Sequence, residues 1–292
     1  MITTAEIQEM KILSEKRCVI GEGPVWCEFD SKLYHVNAYG VNEICCIDLE
    51  SKKNTVRELD FGVAAIAFSK RGEMLISCGY GAFILNGDNT RIPLYDTSTT
   101  EIKYGNDAKV GPDGRFYVGT QSSKRRGTGD EADGKLYSID KDGTVKILLD
   151  GLLLSNGFDW SMDEKRFYHT DSDTHTIKEY SFDKEKGEIS FTGRQVKIRG
   201  VDGFTIDQND FLYAACWGDG HIAVVDTADM QIKEYIPVPA DIPASCCFAG
   251  ADMENLVVVT ATLGTDIQKD KNAGYTFICD RQVKGRKPYL FG

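Results

Sequence analysis

The chain repeats itself, and a repeat of this length leaves few folds open. One pattern recurs: a turn with Asp or Gly, a short apolar strand, then a second strand ending near Asp. Six segments carry it: Gly23 to Leu59, Phe61 to Tyr95, Gly105 to Leu149, Ser155 to Val196, Val201 to Val238 and Ala244 to Val283. A period of roughly 40–50 residues is the length of one four-stranded propeller blade. Alternation is visible in Arg115-Phe116-Tyr117-Val118 and Lys135-Leu136-Tyr137-Ser138-Ile139, with Pro-Asp-Gly and Lys-Asp-Gly turns between strands. One blade cannot bury both of its faces, whereas a ring of six can. A pair of β-sandwiches would leave the six similar units unexplained. We therefore expect an all-β fold, a six-bladed β-propeller with a central channel, built as one domain over residues 1–292. Helical periodicity shows only near the N-terminus, over Thr4 to Leu13.

Composition narrows the function. Apolar residues make up 41% of the chain, enough for a sizeable core. Against 45 Asp and Glu stand 34 Lys and Arg, a net charge of −11, which argues against a nucleic-acid partner. The one dense basic stretch, Lys124-Arg125-Arg126, reads as a solvated loop. There is no signal-peptide apolar run and no stretch near the ~18–20 apolar residues of a membrane span, so the expected setting is cytoplasmic, with no membrane partner. The nine cysteines are scattered without a C-x-x-C pair, as reduced buried thiols would be. The pattern sets no oligomeric state.

In a propeller the innermost strands begin around the channel, so one residue per blade converges on the axis. At that phase stand Glu22 in Gly21-Glu22-Gly23, Asn106 in Gly105-Asn106-Asp107, Asn156 in Ser155-Asn156-Gly157 and Asp202 in Val201-Asp202-Gly203. Two carboxylates and two amides make an oxygen-rich set that suits a hard cation such as Ca²⁺, Mg²⁺ or Mn²⁺. Singly, each would read as a turn residue; the shared phase is what singles them out. His169 and His175 read as strand and turn residues, and His221 as a surface turn. Trp217 and Cys246-Cys247 read as core positions that could also line the channel. No G-x-S-x-G, H-E-x-x-H, phosphate-binding loop or EF-hand loop is present.

Five ordered motifs carry a resemblance. GEGPVW at Gly21–Trp26, GNDAKVGPDGRFYVGT at Gly105–Thr120, SNGFDWSMDEKRFYHTDS at Ser155–Ser172, VDGFTIDQNDFLYAACWGDG at Val201–Gly220 and ASCCFAG at Ala244–Gly250 resemble the regucalcin/gluconolactonase/luciferin-regenerating enzyme family across nearly the whole chain. The resemblance implies a six-bladed propeller and a metal-dependent hydrolase that opens a lactone ring, with an aldonolactone as the default substrate. It implies one divalent ion, Ca²⁺ foremost, with Mg²⁺, Mn²⁺ or Zn²⁺ as alternatives. It places Glu22, Asn156 and Asp202 as metal ligands, Asp202 also as general base, and Asn106 in contact with substrate or metal-bound water. It also places Asp171 near the channel. Three positions depart from the sugar-lactone pattern. Tyr104 stands where Arg is usual and Ala108 where Gly is usual, and Lys124 falls near an acidic substrate-binding position. Tyr104 and Lys124 are therefore candidate substrate contacts for a more acidic or aromatic lactone. The loop from Gln121 to Gly134 is placed to cover the channel mouth. Two alternatives stand beside the lactonase: a calcium-binding or scaffolding propeller without turnover, and a phosphotriesterase-like hydrolase on the same metal site.

Overall fold

A computed structural model of the chain describes residues 9–292. Its strands form six four-stranded antiparallel sheets. The innermost strand of each is Ile20–Cys27, Val63–Phe68, Gly105–Val110, Ser155–Trp160, Val201–Ile206 and Pro243–Ala249. Each packs on the inner strands of both neighbouring sheets, and the last contacts the first, so the ring closes as a six-bladed β-propeller. Among the described residues the helical content is one turn of α-helix and one of 3₁₀ helix, and no helix is long and apolar enough to cross a membrane.

The ring is closed by pairing between distant parts of the chain. The sixth blade takes Pro243–Ala249, Asn255–Thr260 and Thr276–Asp280 from the C-terminal end and its outermost strand, Lys11–Ser14, from the N-terminal end. Lys11 pairs with Ile278 and Ser14 with Thr276. This corrects the helix expected over Thr4 to Leu13: its first part lies outside the described residues, and from Lys11 onward the chain is a strand. Met10 and Leu13 are buried in the cluster that includes Phe248 and Phe277, and that burial, together with a free sheet edge, outweighs a weak local helical pattern.

Between blades the contacts are large and apolar. Trp160 is fully buried and meets Tyr117 of the third blade edge-on, with ring centroids 4.8 Å apart, and Phe167 at 5.1 Å. Each such ring contributes about 1.5–3 kcal/mol by leaving water. All nine cysteines are unpaired, and eight of them are buried.

The two ends of the channel differ. The C-terminal segment runs across one end. Gly285 N donates to Met253 O (2.8 Å), Phe291 N to Phe68 O (3.0 Å) and Gly292 N to Gly114 O (3.0 Å), so the tail ties the sixth blade to the second and third. Behind it only about 70 Å³ of space remains, lined in part by Lys109, Asp159, Cys246 and Cys247. The other end stays open.

Candidate active site

The inner strands are not regular. The pairing register slips in all six, and in four of them the slip falls between Glu22 and Val25, Gly105 and Ala108, Ser155 and Phe158, and Val201 and Phe204. A slip of this kind bends the strand and re-aims a side chain. Each of these four holds one of the four residues singled out by repeat phase. Glu22, Asn106, Asn156 and Asp202 all line one cavity of about 480 Å³ at the open end of the channel.

Glycine makes the convergence possible. A Cβ on Gly157 would collide with the Asp202 carbonyl and the Phe204 ring, and one on Gly203 with the Ser245 hydroxyl. Without side chains there, the fourth and fifth inner strands approach closely enough for Asn156 Nδ2 to donate to Asp202 Oδ1. In the third blade the position after the channel residue is not glycine but Asp107, a buried carboxylate.

The electrostatics are unusual. Burial raises the Glu22 carboxyl well above the ordinary range, and the neighbouring Asp202 and Asp107 push it further. Burial raises Asp202 in the same way, reinforced by Asp107 and opposed by Arg125 and the Asn156 amide. Asp107 is itself raised by burial, which outweighs the nearby Lys109. Neither Glu22 nor Asp202 has a salt bridge among the described residues; Arg125 binds Asp173 instead, with Nη1 at 2.5 Å from Oδ1. The carbonyl Oδ1 of Asn156 is buried without a hydrogen-bond partner. A buried polar atom without a partner costs about 1–3 kcal/mol. A cation resolves both features, because it would accept Asn156 Oδ1 as a ligand and balance the two carboxylates. With oxygen donors only, the set fits a hard divalent ion.

Asn106 is held by its neighbours. Its Nδ2 donates to Ser155 O (3.1 Å) and its Oδ1 accepts from Gln121 Nε2 (3.3 Å). His169 supports the same strand: it is buried, its Nε2 lies 2.9 Å from Ser155 Oγ, and burial holds its pKa down to about 3. Asp171 accepts from the backbone N–H groups of Leu153 and Leu154, each at 2.9 Å, and so pins the approach to the same inner strand.

The remaining candidates fall differently. Lys124 is solvent-exposed and absent from the cavity wall; Arg125 and Arg126 are on it. The Gln121–Gly134 loop carries one helical turn, Ser123–Arg126, capped by Ser122 Oγ, which accepts from Arg125 N. A single turn spreads successive side chains around its axis, which sends Lys124 outward. Tyr104 lines a neighbouring cleft of about 230 Å³ that shares Gln121 and Arg126 with the main cavity. Its hydroxyl is 3.2 Å from Thr128 Oγ1, and Arg126 stacks over its ring at 5.6 Å. Trp217 and His175 do line the cavity, and His175 Nδ1 accepts from Gly200 N. His221 packs on Tyr235 away from it. Asp107, Arg125 and Arg126 were not singled out by the sequence as site residues; the only signal for Asp107 was the break in the residue-then-glycine pattern.

A closed six-bladed ring, with a cavity at one mouth that gathers four oxygen-bearing side chains and a sealed opposite end, defines the class as a propeller with an axial cavity. Residues 20–262 match the model of the SMP-30/Gluconolactonase/LRE-like region, and the chain belongs to that family. It is 30% identical to the candidate sugar lactone lactonase YvrE of Bacillus subtilis (strain 168), over 95% of this chain and 97% of that protein. It is likewise 30% identical to regucalcin of Bos taurus, over 97% and 98% of the two chains. Among solved structures it resembles a calcium-binding regucalcin of Agrobacterium tumefaciens str. C58, with TM-score 0.86 and 24% identity over 98% of each chain.

Proposed function

We propose that this protein hydrolyses a lactone, a sugar lactone foremost, with one divalent cation held by Glu22, Asn156 and Asp202. The observation that carries the reading is a pair of salt-bridge-free carboxylates, Asp202 buried and Glu22 half-buried, beside an unpartnered amide oxygen at the mouth of the channel. Membership of a family that includes gluconolactonases, and similarity to a candidate sugar lactone lactonase, support the reaction class. The Agrobacterium neighbour is a calcium-binding protein, which makes Ca²⁺ the first ion to test.

When bound, a divalent cation supplies electrophilic assistance to an ester carbonyl. The chain's own residues do the rest. Asp202 is the base that takes the proton of the attacking water, and its hydrogen bond from Asn156 fixes the carboxylate's orientation. Asn106 is locked by Ser155 and Gln121, so it meets a substrate hydroxyl in one pose without paying to order itself. Arg125 and Arg126 supply donors at the mouth, and Trp217 a flat apolar face, a combination suited to a polyhydroxylated ring or one bearing a carboxylate.

The test is a pH-stat assay over a panel of neutral and acidic sugar lactones. Metal-stripped protein is re-supplied with Ca²⁺, Mg²⁺, Mn²⁺ or Zn²⁺, with Asp202→Ala as control. The expected result is metal-dependent turnover that falls by a factor of at least about 10² in the variant, the usual scale of lost acid–base catalysis. Tight metal binding with no lactone turnover would overturn the reading. Organophosphate hydrolysis in its place would favour a phosphotriesterase-like enzyme, and no turnover of either would favour a binding propeller.

A further inference from the structure

Outside the channel cavity, three soft-ligand side chains meet in the interior of the first blade, one residue along from the strand partner of Glu22. Cys18, His35 and Cys45 place one ligand atom each within 4.8 Å of the others, and all three are buried. Their exposures are 1%, 0% and 0%. His35 and Cys45 are directly opposite on neighbouring strands, Lys32–Ala38 and Glu43–Ile47, so the sheet register fixes their spacing. Cys18 reaches them from the connection between the closing strand, Lys11–Ser14, and the first inner strand. That connection is tied down by Cys18 N donating to Gly274 O (2.9 Å) and Thr262 N donating to Cys18 O (3.1 Å).

A second observation concerns the histidine alone. Its Nδ1 lies 3.2 Å from Val36 O, which accepts the ring proton at that nitrogen. The other nitrogen, Nε2, is buried and has no hydrogen-bond partner. A lone pair on a wholly buried imidazole nitrogen, with the opposite N–H held by a backbone carbonyl, is the arrangement metal-ligating histidines use. An unmet buried acceptor costs about 1–3 kcal/mol, so the nitrogen gains by taking a partner.

We propose that Cys18, His35 and Cys45 form a second metal site, for one soft thiophilic ion, Zn²⁺ or Cu⁺. Two sulfurs and an imidazole reject the hard ions suited to the channel and select soft or borderline ones. Bonds of roughly 2.0–2.3 Å around one ion place such ligand atoms roughly 3.3–3.8 Å apart, so a contraction of about 1 Å closes the triangle. Cu⁺ is satisfied by three ligands of this kind, whereas Zn²⁺ takes a fourth. The ion would staple the closing connection to the middle of the first blade, next to the seam where the ring joins its two ends. Because the site is enclosed, the ion loads as the chain folds.

The test uses the full-length protein expressed in medium supplemented with Zn²⁺, Cu²⁺ or Co²⁺ and purified under argon with reductant. Metal content is read by mass spectrometry. The expected result is about one equivalent of zinc or copper per chain, the culture that fills the site deciding between the two. Cobalt-grown protein should show a thiolate-to-cobalt charge-transfer band in the near ultraviolet. Cys45→Ser and His35→Gln should each lower the bound metal at least tenfold and weaken the band. Cys46→Ser, on the opposite face of the same strand, and Asp202→Asn, in the channel, should keep both. The cobalt band is read on the unaltered chain, so a variant that fails to fold does not rescue the idea. Zinc and copper both absent from the unaltered protein, equal metal in Cys45→Ser, or a Cys18–Cys45 disulfide in place of the ion would each overturn it.

Discussion

The two halves of the channel treat buried charge in opposite ways. At the sealed end, Asp159 is buried, with 3% of its side chain exposed, and the chain gives it two cations. Lys109 Nζ lies 3.1 Å from one carboxylate oxygen and Arg286, carried in by the C-terminal segment, pairs with the other. Lys109 also donates to Phe204 O at 2.6 Å, so its own charge is shared with the wall. At the open end Asp202 is buried and Glu22 half-buried, and they repel each other and Asp107. No lysine or arginine among the described residues pairs with them, and the nearest guanidinium of consequence, Arg125, is committed to Asp173. An isolated buried charge is too costly to leave uncompensated. One end of the channel is therefore complete as folded, and the other leaves its carboxylates unpaired, which is the place the proposed ion would fill.

The largest test of that contrast is a pair of substitutions. Asp159→Ala leaves Lys109 and Arg286 buried without a partner and should cost about 3–5 kcal/mol in urea unfolding. Asp202→Asn in the metal-free protein removes a repulsive charge and should leave stability equal or higher. Equal losses from the two would break the comparison. Next in size, saturating Ca²⁺ or Mn²⁺ should stabilise the protein by about 2.7 kcal/mol at a hundredfold excess over Kd. That gain should disappear in Glu22→Gln while the unfolding behaviour of the sealed end is kept. A third effect belongs to His169, which supports the strand of Asn156 without carrying charge. Folding lowers its pKa from the ordinary 6.5 to about 3, so the unfolded chain takes up the proton first as pH falls. Its stabilising contribution is full above about 6.5 and is lost progressively toward pH 3. His169→Gln should flatten that acid limb when unfolding is measured across the range; an unchanged limb would remove His169 from the account. The smallest effect is at the mouth. Arg126→Ala should raise KM roughly two- to fivefold, the worth of one modest hydrogen bond, with kcat kept. Lys124→Ala should leave both unchanged.

How much of this was legible beforehand follows from what repeats and what does not. The six blades could be read because each is written in the same local code of strand and turn, and Glu22, Asn106, Asn156 and Asp202 because each occupies one phase of that code, at the register slip that every inner strand carries. Features made once, by chain segments meeting at long range, left no such trace. The closing strand at Lys11–Ser14 looked locally helical, and only its partner at Thr276–Asp280 makes it a strand. Arg286 enters the channel from a tail outside the repeats. The choice of Arg125 and Arg126 over Lys124 depends on how one helical turn is rotated, which three adjacent basic residues do not encode. Asp107 was hidden by its likeness to an ordinary Asn-Asp turn.

The central claim is that Glu22 and Asp202 have no paired lysine or arginine among the described residues because a divalent cation takes that place. The most direct measurement is a calorimetric titration of metal-stripped protein with Ca²⁺, and with Mn²⁺, comparing the unaltered chain with Glu22→Gln, Asn156→Ala and Asp202→Asn. The account predicts one site for at least one of the two ions, weakened at least tenfold by each substitution. No binding of either ion, or binding that survives all three changes, would contradict it.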